Sequence, residues 1–298
     1  MSASLIRKYI WLVETLRRYG RVTRSRLDEL WRKSPFSQGE GLPRRTLFNY
    51  RAAAEELFGI EILIDPRTFE YYLAESEDTH DARLAEWLLD STATANLLTG
   101  ARNLAGRIHL ESTPSAHVHL ASIVEAMQAN QRIRFAYQSY TRPVPTRDIL
   151  FEPYFVKLFR QRWYVIGLHV ESGKIRTYAL DRIIELTSLE VTFEIPEGFD
   201  ADEYFRYSFG IVESHDEPRD IVLRADPFEA KYLRALPLHP TQSETVHEGY
   251  SLFHYRMRIT EDLVREILAH GPRLVVESPS LLRAHVLDSL RETLEKYD

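Results

Sequence analysis

The chain has 298 residues, is 44% apolar and 28% charged, contains no cysteine and carries a formal net charge of -6. That length exceeds what one hydrophobic core usually serves, so several domains are expected; the missing thiols exclude disulfides, thiolate zinc sites and cysteine nucleophiles. No apolar run reaches the roughly 20 residues that span a bilayer, and Met1-Ser2-Ala3-Ser4-Leu5-Ile6-Arg7-Lys8 lacks a signal-peptide layout, so a cytoplasmic protein without membrane contact is expected.

The negative average hides an asymmetry. Residues 1–73 hold 13 Lys and Arg against 9 Asp and Glu, a balance of +4, while the remaining 225 hold 25 against 35, a balance of -10. Attraction for polyanions is therefore local to the N-terminal part.

Leu5, Ile6, Tyr9, Ile10, Val13 and Leu16 recur at helical spacing up to Gly20, a good residue after a helix. A second helix opens at Thr23 as N-cap and puts Leu27, Leu30 and Trp31 on one face. The polar stretch 34–41 breaks the chain before Pro43, which suits the first turn of a third helix. That helix is expected to bury Leu47, Ala54 and Leu57 and to end at Gly59. Residues 60–64 and 69–73 read as a hairpin across Asp65-Pro66-Arg67-Thr68. Three helices and a hairpin make a winged helix-turn-helix over residues 1–74.

The face of the third helix opposite Leu47 and Ala54 presents Arg44, Arg45, Phe48 and Asn49, near the end that such motifs place in a major groove. Arginines reach phosphates or guanine edges, and the Asn49 carboxamide matches adenine. With Arg24, Arg26, Thr46 and the hairpin residue Arg67, these are the candidate contacts to a double-stranded DNA operator. A solvated arginine face on a small helical domain would carry the same pattern.

Residues 75–129 read as a mainly helical connector that contributes to homodimer contacts. Leu84, Trp87, Leu88 and Leu89 lie on one segment, Leu120, Ile123, Val124 and Met127 on another, with Pro114 between. His117-Val118-His119 would offer a metal half-site on a strand, where residues two apart share a face. No carboxylates stand nearby at ligand spacing, so no metal and no cofactor are expected.

From residue 131 to about 195 the pattern changes to strands, at 133–137, 149–156, 163–168 and 176–180. Tight connections such as Glu171-Ser172-Gly173-Lys174 suggest a small barrel. A linker over 201–217 leads to residues 218–298, whose strand-helix-strand-strand-helix-strand order is that of a ferredoxin-like split βαβ unit. There is no Gly-rich phosphate loop, no His-Glu-x-x-His helix and no nucleophile elbow, so an enzyme is not expected.

Residues 130–186 carry several spaced elements in one order: Phe135-Ala136-Tyr137, Arg147 ahead of Glu152-Pro153-Tyr154, Arg162-Trp163-Tyr164-Val165, and Arg176-Thr177-Tyr178-Ala179-Leu180-Asp181-Arg182-Ile183. Together they resemble the signature of the WYL-domain family, with Val165 where a leucine usually stands. The run from Arg44-Arg45-Thr46-Leu47 to Glu56-Leu57-Phe58-Gly59-Ile60 is similar to the recognition helix that precedes WYL domains in bacterial regulators. The C-terminal part resembles the extension that often follows them.

This resemblance implies a multidomain α+β transcription regulator. Its parts would be a winged helix-turn-helix, a helical connector, an Sm-like (SH3-like) β-barrel over residues 130–200 as sensor, and a ferredoxin-like C-terminal domain. It also implies a homodimer, often a repressor in bacterial defence or a DNA-damage response, whose barrel senses a nucleotide or single-stranded nucleic acid. Phe48, Asn49 and Tyr50 depart from the more polar residues of relatives, so the operator sequence does not transfer.

Strand alternation puts Arg176, Tyr178 and Leu180 on one face, and sets Trp163 and Val165 opposite Tyr164 and Ile166. One ring of the Trp163-Tyr164 pair is therefore expected to serve the core and one to line a pocket, with the assignment open. Guanidinium groups bind phosphate bidentately and stack on bases, and tyrosines add stacking surface. The candidate ligand contacts are Tyr137, Ser139, Tyr140, Arg147, Tyr164, Arg176 and Arg182. Arg182 could equally pair with Asp181, Glu152 or Glu185 and fix the strand ends. In a rival reading the chain is a nucleic-acid-sensing accessory subunit that regulates an enzyme partner, with Phe48 and Tyr50 in a protein interface.

Overall fold

A computed structural model of the chain describes residues 3–74, 84, 86–92, 94–95, 107, 117–212, 214 and 216–297. It is a mixed α/β protein with three antiparallel sheets among the described residues, and it divides into two compact units, Met1–Glu111 and Ser112–Asp298. No helix among the described residues is long and apolar enough to cross a membrane.

The first unit contains α1 (Ala3–Tyr19), β1 (Val22–Thr23), α2 (Arg24–Arg32), α3 (Arg44–Phe58), β2 (Ile62–Ile64) and β3 (Glu70–Leu73). The Thr23 hydroxyl accepts from the Arg26 amide at 3.3 Å and so caps α2 as its sequence predicts. Asp28 accepts from the Leu42 amide at 2.5 Å and from Arg32 at 2.9 Å, which folds the polar stretch back onto α2. The Leu42 amide is the larger of the influences that hold the Asp28 carboxyl below its usual range.

α3 buries Leu47, Tyr50, Ala54 and Phe58, which recur every three or four positions and form one stripe. Leu57, expected inside, falls beside that stripe and is exposed; Phe58 takes its place. Tyr50 packs edge-on against Tyr9 with ring centres 5.5 Å apart, and lies 5.8 Å from Trp31. The helix ends at Gly59, whose φ of 62° is the left-handed conformation that a side chain would strain. A third strand, β1, joins the expected hairpin through β3, in the order β1-β3-β2. Two residues are too short a run to signal a strand by alternation.

Residues read as connector occur in both units. Leu89 is buried in the core of the first, and Arg17 pairs with Asp90 at 2.5 Å. α4 (His117–Gln128) opens the second unit and buries Ile123 and Ala126. His117-Val118-His119 begin that helix, so the strand on which a half-site depended is not there. Pro114 lies outside the described residues.

Behind α4 runs a five-stranded antiparallel sheet: β4 (Gln131–Tyr137), β5 (Thr146–Phe159), β6 (Arg162–His169), β7 (Lys174–Ala179) and β8 (Ile183–Thr192), in the order β7-β6-β5-β4-β8. A 3-10 turn, Leu180–Arg182, joins the last two. Ile133, Phe135, Phe151, Val165, Leu180 and Ile183 share one core with α4. β8 extends well past the last strand expected from the sequence, because Glu185, Thr187, Ser188 and Glu190 dilute its alternation. Gly167 is where the sheet closes up: a Cβ there would lie 1.9 Å from the Glu152 carbonyl oxygen.

The segment expected as a linker contains α5 (Ala201–Phe205), capped by Asp200, and its Phe205 is buried against Tyr164, Ile166 and Ala179. Then follow β9 (Arg219–Ala225), α6 (Glu229–Ala235), β10 (Ser243–His247), β11 (Tyr250–Met257), α7 (Glu261–Ala269), β12 (Leu274–Ser278) and α8 (Ser280–Leu294). The strands form a second sheet in the order β10-β11-β9-β12, every neighbour antiparallel. Its buried face, with Ile221, Leu223, Phe253, Tyr255 and Met257, packs against Leu263, Ile267 and Leu282 of the helices.

Candidate functional site

Strand register assembles the charged cluster of the second unit. Tyr164 pairs with Ala179 across β6 and β7, so two residues further on Arg162 comes level with Asp181. Their side chains form an ion pair, and the Asp181 carboxylate is the main influence raising the Arg162 guanidinium further above its ordinary range. The same logic places Arg132 beside Glu152, with a 2.6 Å contact, because Ile133 pairs with Phe151. Arg147 reaches Glu185 across β4 at 3.8 Å, on the exposed surface.

All three carboxylates that could have neutralised Arg182 are thus engaged by other arginines. Arg182 instead lies over the ring of Tyr140, its guanidinium carbon 3.7 Å from the ring centre. The loop bearing Tyr140 is tied to this place: the Gln138 amide donates to the Arg182 carbonyl at 3.0 Å, and the Gln138 carboxamide donates to Ser139 and Arg142 carbonyls at 2.9 and 2.7 Å. Arg162 approaches the Tyr140 hydroxyl at 3.5 Å. Arg162 first, and Arg182 after it, hold the Tyr140 phenol below its usual range.

Arg162 and Tyr164 are two apart on β6 and share a face. Burial pushes the Tyr164 phenol up, and the charges of Arg162 and Arg182 work against that rise. Three polar atoms of the cluster are buried and lack a hydrogen-bond partner among the described residues: Arg162 Nε, Arg182 Nε and Asp181 Oδ1. Two cationic donors and one acceptor on adjoining residues suit an anion that also carries a donor of its own.

Of the residues the sequence nominates, Tyr140, Tyr164 and Arg182 therefore come together. Ser139 adjoins them, but its hydroxyl is engaged with Thr141 at 2.8 Å and shapes the turn. Tyr137 lies elsewhere: it packs against Phe135 and Tyr178, and its hydroxyl accepts from the Ala179 amide at 3.4 Å. Arg147 and Arg176 are exposed and stand outside the cluster. Both rings of the Trp163-Tyr164 pair pack inward, the partly buried Trp163 on the core shared with α4 and the buried Tyr164 on the cluster around Phe205. Arg162 and Asp181 are cluster members that the sequence reading did not nominate. The available signal was Arg162 standing two residues before Tyr164 on one strand face.

In the first unit, Arg44, Arg45 and Asn49 are exposed at the start of α3, Thr46 is half-buried, and Phe48 is 67% exposed. Pro43 precedes this helix without a side-chain cap, so no side chain of the N-cap residue occupies the positive end of the helix dipole. Arg24 and Arg67 are exposed, while Arg26 is engaged with Glu29 at 2.7 Å. Tyr50, which a protein interface would have needed, belongs to the core.

Family models match two segments: a WYL domain at residues 118–188 and a WCX domain at residues 217–294. No curated protein matches the chain. Among solved structures, proteasome accessory factor B/C (PafBC) of Arthrobacter aurescens is similar at 21% identity with a TM-score of 0.38, the match covering 97% of this chain and 46% of that one. A CRISPR Cas-related protein is similar at 11% identity with a TM-score of 0.40, covering 99% of this chain and 84% of that one. The chain thus spans less than half the length of the first of these.

Proposed function

This chain belongs to the WYL-domain regulator family, with a WYL and a WCX domain in series, and from that premise we propose that it is a ligand-responsive, DNA-binding transcription regulator. In this reading the first unit is a winged helix-turn-helix, the five-stranded sheet with α4 an Sm-like barrel, and the four-stranded sheet ferredoxin-like. The order β12-β9-β11-β10 supports the last assignment, being what two split βαβ crossovers give. The protein acts in the cytoplasm as a homodimeric repressor and catalyses nothing.

One observation carries the sensing role: Arg182 rests on Tyr140 with no carboxylate of its own among the described residues, beside unpartnered buried atoms of Arg162 and Asp181. Polar groups so placed gain most from a partner that completes their hydrogen bonds. A phosphate satisfies the arginines, an aromatic base extends the Tyr140 surface, and Asp181 accepts from an amino or hydroxyl group. The ligand is a nucleotide or a short single strand of nucleic acid. It acts by binding more tightly to one of two states of the protein that differ in DNA affinity.

Binding to duplex DNA from upstream of its own coding sequence, titrated against salt, tests the DNA half. The wild type is expected to bind with steep salt dependence, and Arg44→Ala with Arg45→Ala to weaken binding and flatten the salt slope by about two. Absence of salt-sensitive binding by the wild type, or an unchanged slope in the variant, overturns the reading.

A further inference from the structure

The hairpin of the first unit turns through Asp65, and almost every polar contact there holds the turn in one shape. The Asp65 carboxylate accepts from the amides of Arg67 and Thr68 at 2.8 and 3.2 Å and from Arg21 at 2.8 Å. The Asp65 amide donates to the Glu70 carbonyl at 2.9 Å, and the Phe69 amide to the Asp65 carbonyl at 2.8 Å. Arg21 also lies over Tyr72 on β3, 4.1 Å from its ring centre. The tip is therefore braced from two sides.

This bracing holds Phe69 at a φ of 56°. Side chains other than those of Gly, Asn and Asp seldom adopt that conformation, and hairpins usually place Gly there. The other non-glycine residues with positive φ among those described are Gln38, Asn130, Asp148, Arg160 and Gln161, all polar or charged. Phe69 is also 70% exposed, and with Phe48 at 67% it is one of the two most exposed large apolar residues described in the first unit. A strained backbone and a phenyl ring in water are separate penalties at one position, and neither is offset by packing of the ring. Such strain persists where function needs the side chain presented.

We propose that Phe69 is an apolar wedge that the hairpin tip inserts at a base step in the minor groove of duplex DNA, beside the groove read by α3. The proposal rests on the reading of the first unit as a DNA-binding domain. A flat apolar ring gains little from phosphates or water, and much from the sugar walls of a groove and from an unstacked step. Its neighbour Arg67 is exposed and has no ion-pair partner among the described residues, which suits the negative potential of a narrow minor groove. The preferred sites then contain a flexible pyrimidine-purine step, where unstacking is easiest.

The full-length chain selects duplexes from a randomised pool, and a selected duplex carrying 2-aminopurine at its pyrimidine-purine step is titrated with wild type, Phe69→Gly and Phe69→Trp. Glycine removes both ring and strain, so Phe69→Gly is expected to melt a few degrees higher than wild type yet bind about tenfold or more weaker, without the fluorescence rise that reports unstacking. Phe69→Trp retains affinity and signal. If Phe69→Gly binds with wild-type affinity and signal, the wedge is overturned while the DNA-binding reading stands. Loss of self-association in Phe69→Gly at unchanged DNA affinity also overturns the wedge, assigning the ring to a second copy of the chain. If the wild type selects no duplex, the underlying reading falls and the wedge with it.

Discussion

The Arg182 guanidinium lies 3.7 Å from the centre of the Tyr140 ring, although Asp181, its neighbour in sequence, is a carboxylate. Asp181 is directed to Arg162 by strand register, and an aromatic face takes its place. A cation held this way keeps in-plane donors for an incoming anion, which a carboxylate partner would occupy.

Removing that cation therefore reads directly on the ligand. Arg182→Ala is expected to weaken binding of a fluorescently labelled short single-stranded oligonucleotide about tenfold to a hundredfold, the equivalent of losing one or two charge-assisted hydrogen bonds of about 1.5–3 kcal/mol in total. Arg147→Ala, outside the cluster, leaves it within about twofold. Fluorescence anisotropy measures both, and equal loss in the two variants would show that general positive charge, not the cluster, binds the ligand.

Lys157 sets a pH dependence of stability. It donates to the Gly210 carbonyl at 2.7 Å and lies 3.7 Å from the Phe205 ring centre, and burial pushes its ammonium down to about 8 from an ordinary 10.5, opposed by the charge of Asp262. The folded value is below the unfolded one, so between about pH 8 and 10.5 the unfolded chain binds more protons and stability rises with pH. The full penalty of a charged Lys157 is present below that window. Urea unfolding of wild type and Lys157→Met across it should show the wild type gaining on the variant, by up to about 1.4 kcal/mol per pH unit. A constant difference would mean that Lys157 titrates alike in both states.

Gly167→Ala tests the close approach of β6 to β5. The added methyl would meet the Glu152 carbonyl oxygen at 1.9 Å, and backbone cannot swing aside as a side chain does. We expect a loss of about 3 kcal/mol or more in the second unit. Proteolysis inside residues 131–192 at wild-type melting behaviour of the first unit would display it, and an unperturbed urea midpoint would refute it.

Much of the secondary structure was legible in residue order. Helical spacing located α1, α2 and α3, alternation located β4 to β7, and the C-terminal elements followed in the expected order, because periodicity is a local property that a linear chain carries. Misplacements arose where the local signal was thin: Leu57 for Phe58 on α3, the two-residue β1, and polar β8. Partnership among the charges was decided only by the folded chain. Arg132 meets Glu152 and Arg162 meets Asp181 because antiparallel pairing brings residues about twenty apart to the same level, and a slip of one residue would reassign both. Composition could supply arginines, acids and tyrosines to this sheet, but not say that Arg182 would rest on Tyr140 instead of pairing with a carboxylate.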